Sequence, residues 1–445
     1  MDERRGTELR RYLVILVALM MLGAACTGGD VPAPQEETEE AEVEGGGSIE
    51  VAAVFTGEEK KSFQDVLDAF SEASGHDASF TSAGDDMAAF LGNKIEGGSP
   101  PDVALVPQPG LVRSLAADGS LTEANEEVST ALGENFAPVW TELGSVDGTL
   151  YGVYFKVSNK STWWYNIPVF EQAGVEPPAD WDEMLQTAKT VNASGVPWVS
   201  MGGADGWTLT DWFENIYIRT AGPEMYDQLA NHEIPWTDDS VIQALETFAE
   251  LVGDEANLAG GTEGALQTDF TTSVNQVFTK DPAAATVYEG DFVPGVITAE
   301  AGAKAGEDFD FFEFPAIDGS EPAVVGGGDA AVALTDNEAA QDFLAYLATP
   351  EAAEVWASQG GFTSANQNLD TGVYPDEITQ RSAEAIATAE AVRFDLSDLQ
   401  PPEFGGTTGR GLWLRFQDFL KNPDDAQSIA AALEKDAAKA FKKKS

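Results

Sequence analysis

Two tryptophans, Trp207 and Trp212, stand among Gly202, Gly203, Asp205, Gly206, Asp211 and Glu214. An indole packs flat on the apolar C–H face of a pyranose while adjacent carboxylates accept its hydroxyl protons. This mixture of ring and acid therefore suits a sugar better than a metal or an amino acid. The competing reading of the same stretch is a helix-capping loop folded over a core. Acids also offer glycosidic hydrolysis, which needs a carboxyl pair roughly 5 to 9.5 Å apart. With 76 Asp and Glu residues in the chain, candidate pairs are too common to discriminate. No G-x-S-x-G, H-E-x-x-H or phosphate loop occurs, so a secreted glycoside hydrolase is the weaker alternative and no catalytic residue is expected. One cysteine and two histidines provide neither an internal disulfide nor a zinc cluster, and no metal or cofactor is expected. His76, in a turn after Gly75, and His232, before Pro235, read as structural or solvated.

The elements that must position such residues follow from periodicity. Ile49, Val51, Ala53 and Phe55 alternate as in a strand, and Phe63, Val66, Leu67 and Phe70 follow at helical spacing until Gly75 stops them. A short strand near Asp77–Thr81, a helix with Met87, Phe90, Leu91 and Ile95 on one face, and a strand Val103–Val106 come next. Alternation of strand and helix argues for a parallel sheet covered by helices, an α/β class. Ligands of such sheets sit beyond the carboxyl ends of strands, which makes Glu58, Asp85 and Gln108 candidate contacts. In the middle third, Trp181, Met184, Leu185 and Ala188 share a helical face, and Trp163, Trp164 and Tyr165 read as strand. Gly326, Gly327, Gly328 and Ala331 loosely fit G-x-G-x-x-A, but Ala330–Leu334 reads as strand where a dinucleotide site needs a helix. Glycines that admit a close crossing of chain explain the run better. Thr349-Pro350 reads as a cap and first turn, Pro401–Gly406 as a loop, and Leu412–Leu420 as a helix carrying Trp413.

A chain of 445 residues exceeds what one core supports, so two lobes are expected. The net charge of -52 repels phosphate backbones and anionic headgroups, and the one basic run, Lys442–Lys444, sits at the C-terminus; nucleic acid is excluded as a partner. Residues 1–25 carry Arg4, Arg5, Arg10 and Arg11, an apolar run Tyr12–Leu22, then Gly23-Ala24-Ala25 before Cys26. That is a signal peptide, too short in its apolar run to span a membrane. It resembles a bacterial lipoprotein signal, although Gly23 stands where leucine is commonest, and the resemblance implies acylation of Cys26. Residues 26–47, rich in Glu, Gly and Pro, read as an acidic flexible tether.

Beyond these local signals, the order of motifs is familiar. Gly57-Glu58 after the first strand, Ala69-Phe70 with Ser74-Gly75, Gly97-Gly98-Ser99-Pro100-Pro101-Asp102-Val103, and Leu150-Tyr151-Gly152-Val153 leading to Trp164-Tyr165-Asn166 resemble extracellular solute-binding proteins of ATP-binding cassette importers, the family 1 carbohydrate binders. Phe155-Lys156 through Asn159-Lys160, Tyr288-Glu289-Gly290-Asp291-Phe292, Gly326-Gly327-Gly328-Asp329, Gly360-Gly361-Phe362, and Arg393-Phe394-Asp395 before Asp398-Leu399 are similar to the alpha-glucoside binders.

The resemblance implies a two-lobed periplasmic-binding-protein-like fold, each lobe a mixed sheet flanked by helices, joined by a multi-strand hinge. It places lobe 1 at 48–157 and 293–327 and lobe 2 at 158–292 and 328–445, with crossings near Phe155–Ser158, Glu289–Val293 and Gly326–Asp329. It carries over Glu58, Gln108, Asp85 and Asp86 as first-lobe contacts to sugar hydroxyls. Trp207, Asp211, Phe292 and Trp413 follow in the second lobe, and Gly328 and Asp329 at the hinge. Lys156, Glu289 and Asp291 complete the expected ligand-binding set. The implied protein is a monomer exported to the cell envelope, held to the outer face of the cytoplasmic membrane only through its lipid, passing a carbohydrate to a membrane permease. Some relatives of this fold capture a polyamine, a glycerol phosphate or a metal ion instead, and that alternative stays open. The acidity itself reads as surface hydration suited to high salt.

Overall fold

A computed structural model describes residues 46–388 and 391–442. The signal peptide, Cys26 and all but the last two residues of the tether lie outside the described residues. Among those described, no helix is long and apolar enough to cross a membrane.

Alternation of Ile49, Val51 and Ala53 builds β1 (Ser48–Ala53), and the helix Gly57–Ser74 buries Phe63, Val66, Leu67 and Phe70 before Gly75 ends it at φ 77°. β2 (Asp77–Ser82) and β3 (Val103–Val106) lie parallel to β1 on either side of it, as the strand and helix alternation requires. A short hairpin of β4 (Ser145–Val146) and β5 (Thr149–Leu150) precedes β6 (Gly152–Asn159). The first sheet becomes mixed because β11 (Val324–Ala333) enters it antiparallel to both β3 and β6, while β12 (Val392–Phe394) joins parallel to β11.

The second sheet runs in the order β10 (Phe309–Glu313), β7 (Thr162–Asn166), β9 (Thr286–Glu289), β8 (Val199–Ser200). The two-residue period of β7 sends Trp163 to one face, packed with Trp198, Trp212 and Trp236, and Trp164 to the other, packed with Val277, Phe292 and Phe309. The first sheet likewise buries Phe63, Phe343 and Trp356 on one face and Met87, Leu91 and Val112 on the other. Two sheets with separate cores are the two-lobed α/β fold expected.

Sheet membership divides the chain differently from the expected boundaries. β10 pairs with β7 of the second sheet, so 293–313 does not join the first, and no crossing occurs at Glu289–Val293. The helices Glu338–Leu347 and Pro350–Ala357 pack on the first sheet, so that part of 328–445 does not belong with the second. The chain passes between sheets at 159–162, just after the expected Phe155–Ser158, between β10 and β11, just before the expected Gly326–Asp329, and after β12, well beyond any expected point. The glycine run lies within β11, where its function is steric. A Cβ on Gly327 would stand 2.8 Å from Lys160 Cε, and one on Gly328 would stand 2.8 Å from the Lys156 carbonyl. The segment expected as a loop at 401–406 contains a helical turn, Pro402–Gly405. Both histidines are tied into the fold: His76 bonds Asp342 at 2.9 Å and the Gly47 amide at 2.8 Å, and His232 meets Glu434 at 3.1 Å.

Candidate ligand-binding cleft

A cleft of about 330 Å³ is lined by residues that both sheets present, a volume within the range of small-molecule sites. From the first sheet come Phe55 and Thr56 after β1, Asp85 after β2, Gln108 after β3, Lys156 and Ser158 from β6, and Gly328 and Asp329 from β11. The second half contributes Asp205, Trp207, Asp269, Phe270, Phe292 and Trp413. Trp207 opens the helix Trp207–Ala221 because Gly206, at φ 84°, turns the chain there; a Cβ on Gly206 would stand 2.8 Å from Trp413 Cβ. Phe270 opens another helix, capped by the Asp269 carboxylate, which accepts from the Thr272 amide. Trp207, Phe270 and Phe292 then gather with centroids 5.4 to 6.2 Å apart, giving one wall a cluster of rings.

Two lysines cross the floor. Lys156 Nζ lies 2.6 Å from Glu59 and 5.1, 5.4 and 5.5 Å from the ring centroids of Phe292, Phe55 and Trp356. Burial alone lowers its pKa, but Glu59, Asp329 and Asp291 more than offset that and hold the ammonium charged. Lys160 Nζ lies 2.5 Å from Asp395, 3.3 Å from Asp211 and 3.9 Å from Asp398. Here too burial is opposed, by Asp211, Asp395 and Asp398, and the pKa ends well above the ordinary lysine value. Asp395, which burial would raise, is held well below the usual carboxylate range by Lys160 and by hydrogen bonds from Ser397 and the Asp398 amide. Burial, then the neighbouring carboxylate charge of Asp211, pushes the Glu289 pKa well above the ordinary glutamate value. Asp211, Glu214 and Asp395 bring carboxylate oxygens within 4.8 Å of one another, a spacing a metal could use. Lys160 is the cation already among them, and Glu214 is spent accepting the Leu396 and Ser397 amides and the Tyr226 hydroxyl.

The cleft gathers eight of the thirteen residues read from sequence: Asp85, Gln108, Lys156, Trp207, Phe292, Gly328, Asp329 and Trp413. Gln108 is notable because the residue is only 8% exposed and its buried Oε1 has no hydrogen-bond partner among the described residues. The other five are placed elsewhere. Glu58 turns outward to Lys61 at 3.0 Å, and Glu59, one residue and about 100° further around the helix, faces the cleft in its place. Asp86 caps the helix Met87–Glu96 through the Ala89 amide. Asp211, Glu289 and Asp291 lie behind the lining, Asp211 under Lys160 and Asp291 accepting from the Thr363 hydroxyl at 2.6 Å. Trp212, the second indole of the opening motif, is 1% exposed and stacks on Phe248 in the core.

Sequence reasoning did not assign Glu59, Lys160, Asp205, Asp269, Phe270, Asp395 or Asp398 to the site. Lys160, Asp395 and Asp398 lay in motifs already noted, and Asp269-Phe270 carried only an ordinary N-cap signal.

Comparison with known proteins agrees with this architecture. The osmoprotective compounds-binding protein GgtB of Synechocystis is 32% identical over 427 residues, covering 94% of this chain and 97% of its own. The alpha-glucosides-binding periplasmic protein AglE of Rhizobium meliloti is 32% identical over 404 residues, covering 88% and 87%. Among solved structures, the bacterial solute receptor AcbH superposes with a TM-score of 0.79 at 21% identity, covering 89% of this chain and 100% of that one, and so supports the fold. Residues 56–354 match the bacterial extracellular solute-binding protein family, and the chain belongs to it.

Proposed function

We propose that this protein captures a small carbohydrate, an alpha-glucoside or a related glycosidic osmolyte, between its two halves and passes it unchanged to an ATP-binding cassette permease. The observation that carries the reading is the Trp207, Phe270 and Phe292 ring cluster, which lines the cleft together with Trp413, Gln108 and carboxylates. Rings match the C–H faces of a pyranose and the acceptors match its hydroxyls. The names of two relatives, one for alpha-glucosides and one for osmoprotective compounds, point the same way.

The mechanism is closure. One half is built on 48–159 and 324–394, the other on 162–313 and 395–442, and each supplies part of the lining, so a ligand makes its full set of contacts only when the halves meet. Ligand thereby shifts the hinge equilibrium toward the closed state. A 10⁴-fold change in population takes roughly 5.5 kcal/mol of differential binding, within reach of several hydrogen bonds and stacked rings. Acylation of Cys26 would keep the protein at the outer face of the cytoplasmic membrane as a monomer.

Titration calorimetry with trehalose, maltose, sucrose and glucosylglycerol tests the reading; binding of at least one is expected, with no glucose released on incubation. Seven carboxylates in the lining also suit a polyamine. Silence for every sugar together with strong heat from spermidine would transfer the assignment to that class.

A further inference from the structure

The cleft is rich in acceptors and short of free cations. Seven carboxylates line it against two ammoniums, Lys156 and Lys160, and no arginine or histidine is among the lining. Both ammoniums are already committed, to Glu59 in one case and to Asp395 and Asp211 in the other. Three of the acids form a separate group. Asp85 comes from the first half, Asp205 and Asp269 from the second, and among the described residues no lysine, arginine or histidine forms an ion pair with any of them.

What holds Asp205 and Asp269 is neutral and local. Asp205 accepts from the Phe270 amide at 2.7 Å, and Asp269 from the amide and hydroxyl of Thr272. Burial pushes the Asp205 carboxyl up to about 6, the Phe270 amide opposes that, and the charges of Asp85 and Asp269 add to it. Asp85 and Asp269 are therefore each near enough for their charge to reach Asp205. The same cavity is lined by Gln108, a buried side chain whose amide oxygen has no hydrogen-bond partner among the described residues.

We infer that Asp85, Asp205 and Asp269 form a charge filter at the ligand cleft, admitting neutral and amine-bearing glycosides and rejecting anionic ones such as sugar phosphates, uronosides and glycosylated hydroxy acids. The inference rests on the carbohydrate reading above and narrows it. An anionic substituent meets like charge at distances where effective dielectric screening is incomplete and finds no uncommitted ammonium to answer it. A hydroxyl or an ammonium donates to the same oxygens. Relatives named for glycosides and for osmoprotective compounds leave the charge of the cargo open, and this cluster decides it.

The test uses the full chain and ligands that differ in charge alone or nearly so: trehalose, 6-amino-6-deoxytrehalose and trehalose 6-phosphate, with the maltose counterparts, by calorimetry at about 20 mM and 1 M NaCl. At low salt the phosphate is expected to bind about 100-fold more weakly than the neutral sugar, and the amine at least as tightly. At 1 M salt, where the Debye length falls to about 3 Å, the gap should narrow to roughly tenfold or less. The double variant Asp205→Asn with Asp269→Asn should close the phosphate-to-neutral ratio by about tenfold at low salt. A phosphate that binds within about threefold of the neutral sugar at low salt overturns the filter. So does a gap that neither salt nor the double variant changes, since that is exclusion by size. If no sugar binds, the carbohydrate reading itself fails, an outcome distinct from neutral sugars binding without discrimination.

Discussion

Two groups of acids, one lining the cleft and the other mostly behind its lining, are handled in opposite ways. Around Lys160, Asp211, Glu214, Glu289, Asp395 and Asp398 are all buried. Their charge is dispersed by one ammonium and by the Leu396, Ser397 and Asp398 amides, while burial and the charge of Asp211 raise the Glu289 pKa. Among the described residues no lysine, arginine or histidine pairs with Asp85, Asp205 or Asp269, and the Phe270 and Thr272 amides with the Thr272 hydroxyl answer the charge of Asp205 and Asp269. The difference teaches which acids serve the fold and which serve the ligand. A buried charge without a partner costs several kcal/mol, and the inner group is accordingly gathered around Lys160 and backbone amides. The outer group stays wet enough to persist uncompensated, and its unmet potential is available to whatever enters.

Breaking the inner group should have the largest effect. Lys160→Met removes the cation that Asp395, Asp211 and Asp398 share, and a loss of about 3–5 kcal/mol in urea-unfolding free energy is expected. An unfolding midpoint equal to wild type would show that the acids manage without it. The two indoles of one helix sharpen the contrast between fold and ligand. Trp212→Ala should cost about 3–5 kcal/mol of stability through the cavity left beside Phe248. Trp207→Ala should leave the urea midpoint far less changed and weaken the sugar about tenfold; the reverse pattern in calorimetry and unfolding would exchange their roles.

The smallest effect concerns pH. Burial pushes Asp291 up to about 6, against hydrogen bonds from Thr363 and the counter-charge of Lys156. Its folded pKa lies above the unfolded value, so its contribution to stability is complete below pH 4 and is lost as pH rises through about 6. Asp291→Asn should therefore flatten the fall in stability between about pH 4 and 7 by about 2 kcal/mol. Parallel pH profiles of melting temperature for variant and wild type would refute it.

Local pattern carried much of this fold. The 3.6-residue spacing of Phe63, Val66, Leu67 and Phe70, the stop at Gly75, and the Thr349 cap of Pro350–Ala357 all appear as read. Where the chain changes sheets was not legible, because β10 and β11 carry the same apolar signal whichever sheet they join; the partner is chosen by packing at long range. The site divides in the same way. Asp85, Gln108 and Trp207 followed from strand ends and from ring chemistry, yet Glu58 and Glu59 differ only by a helical rotation that composition does not register.

Sequence by itself determined the class of fold, the two cores, the acidity and the choice of rings and carboxylates as the tools of recognition, since each depends on residue type and short-range period. Tertiary structure decided which tools face the ligand. It buried Trp212 and opened Trp207 five residues earlier, and it locked Asp211 beneath Lys160 while leaving Asp205 at the cleft. The physical reason is that solvation and charge pairing depend on what segments distant in the chain bring alongside, which no local pattern specifies.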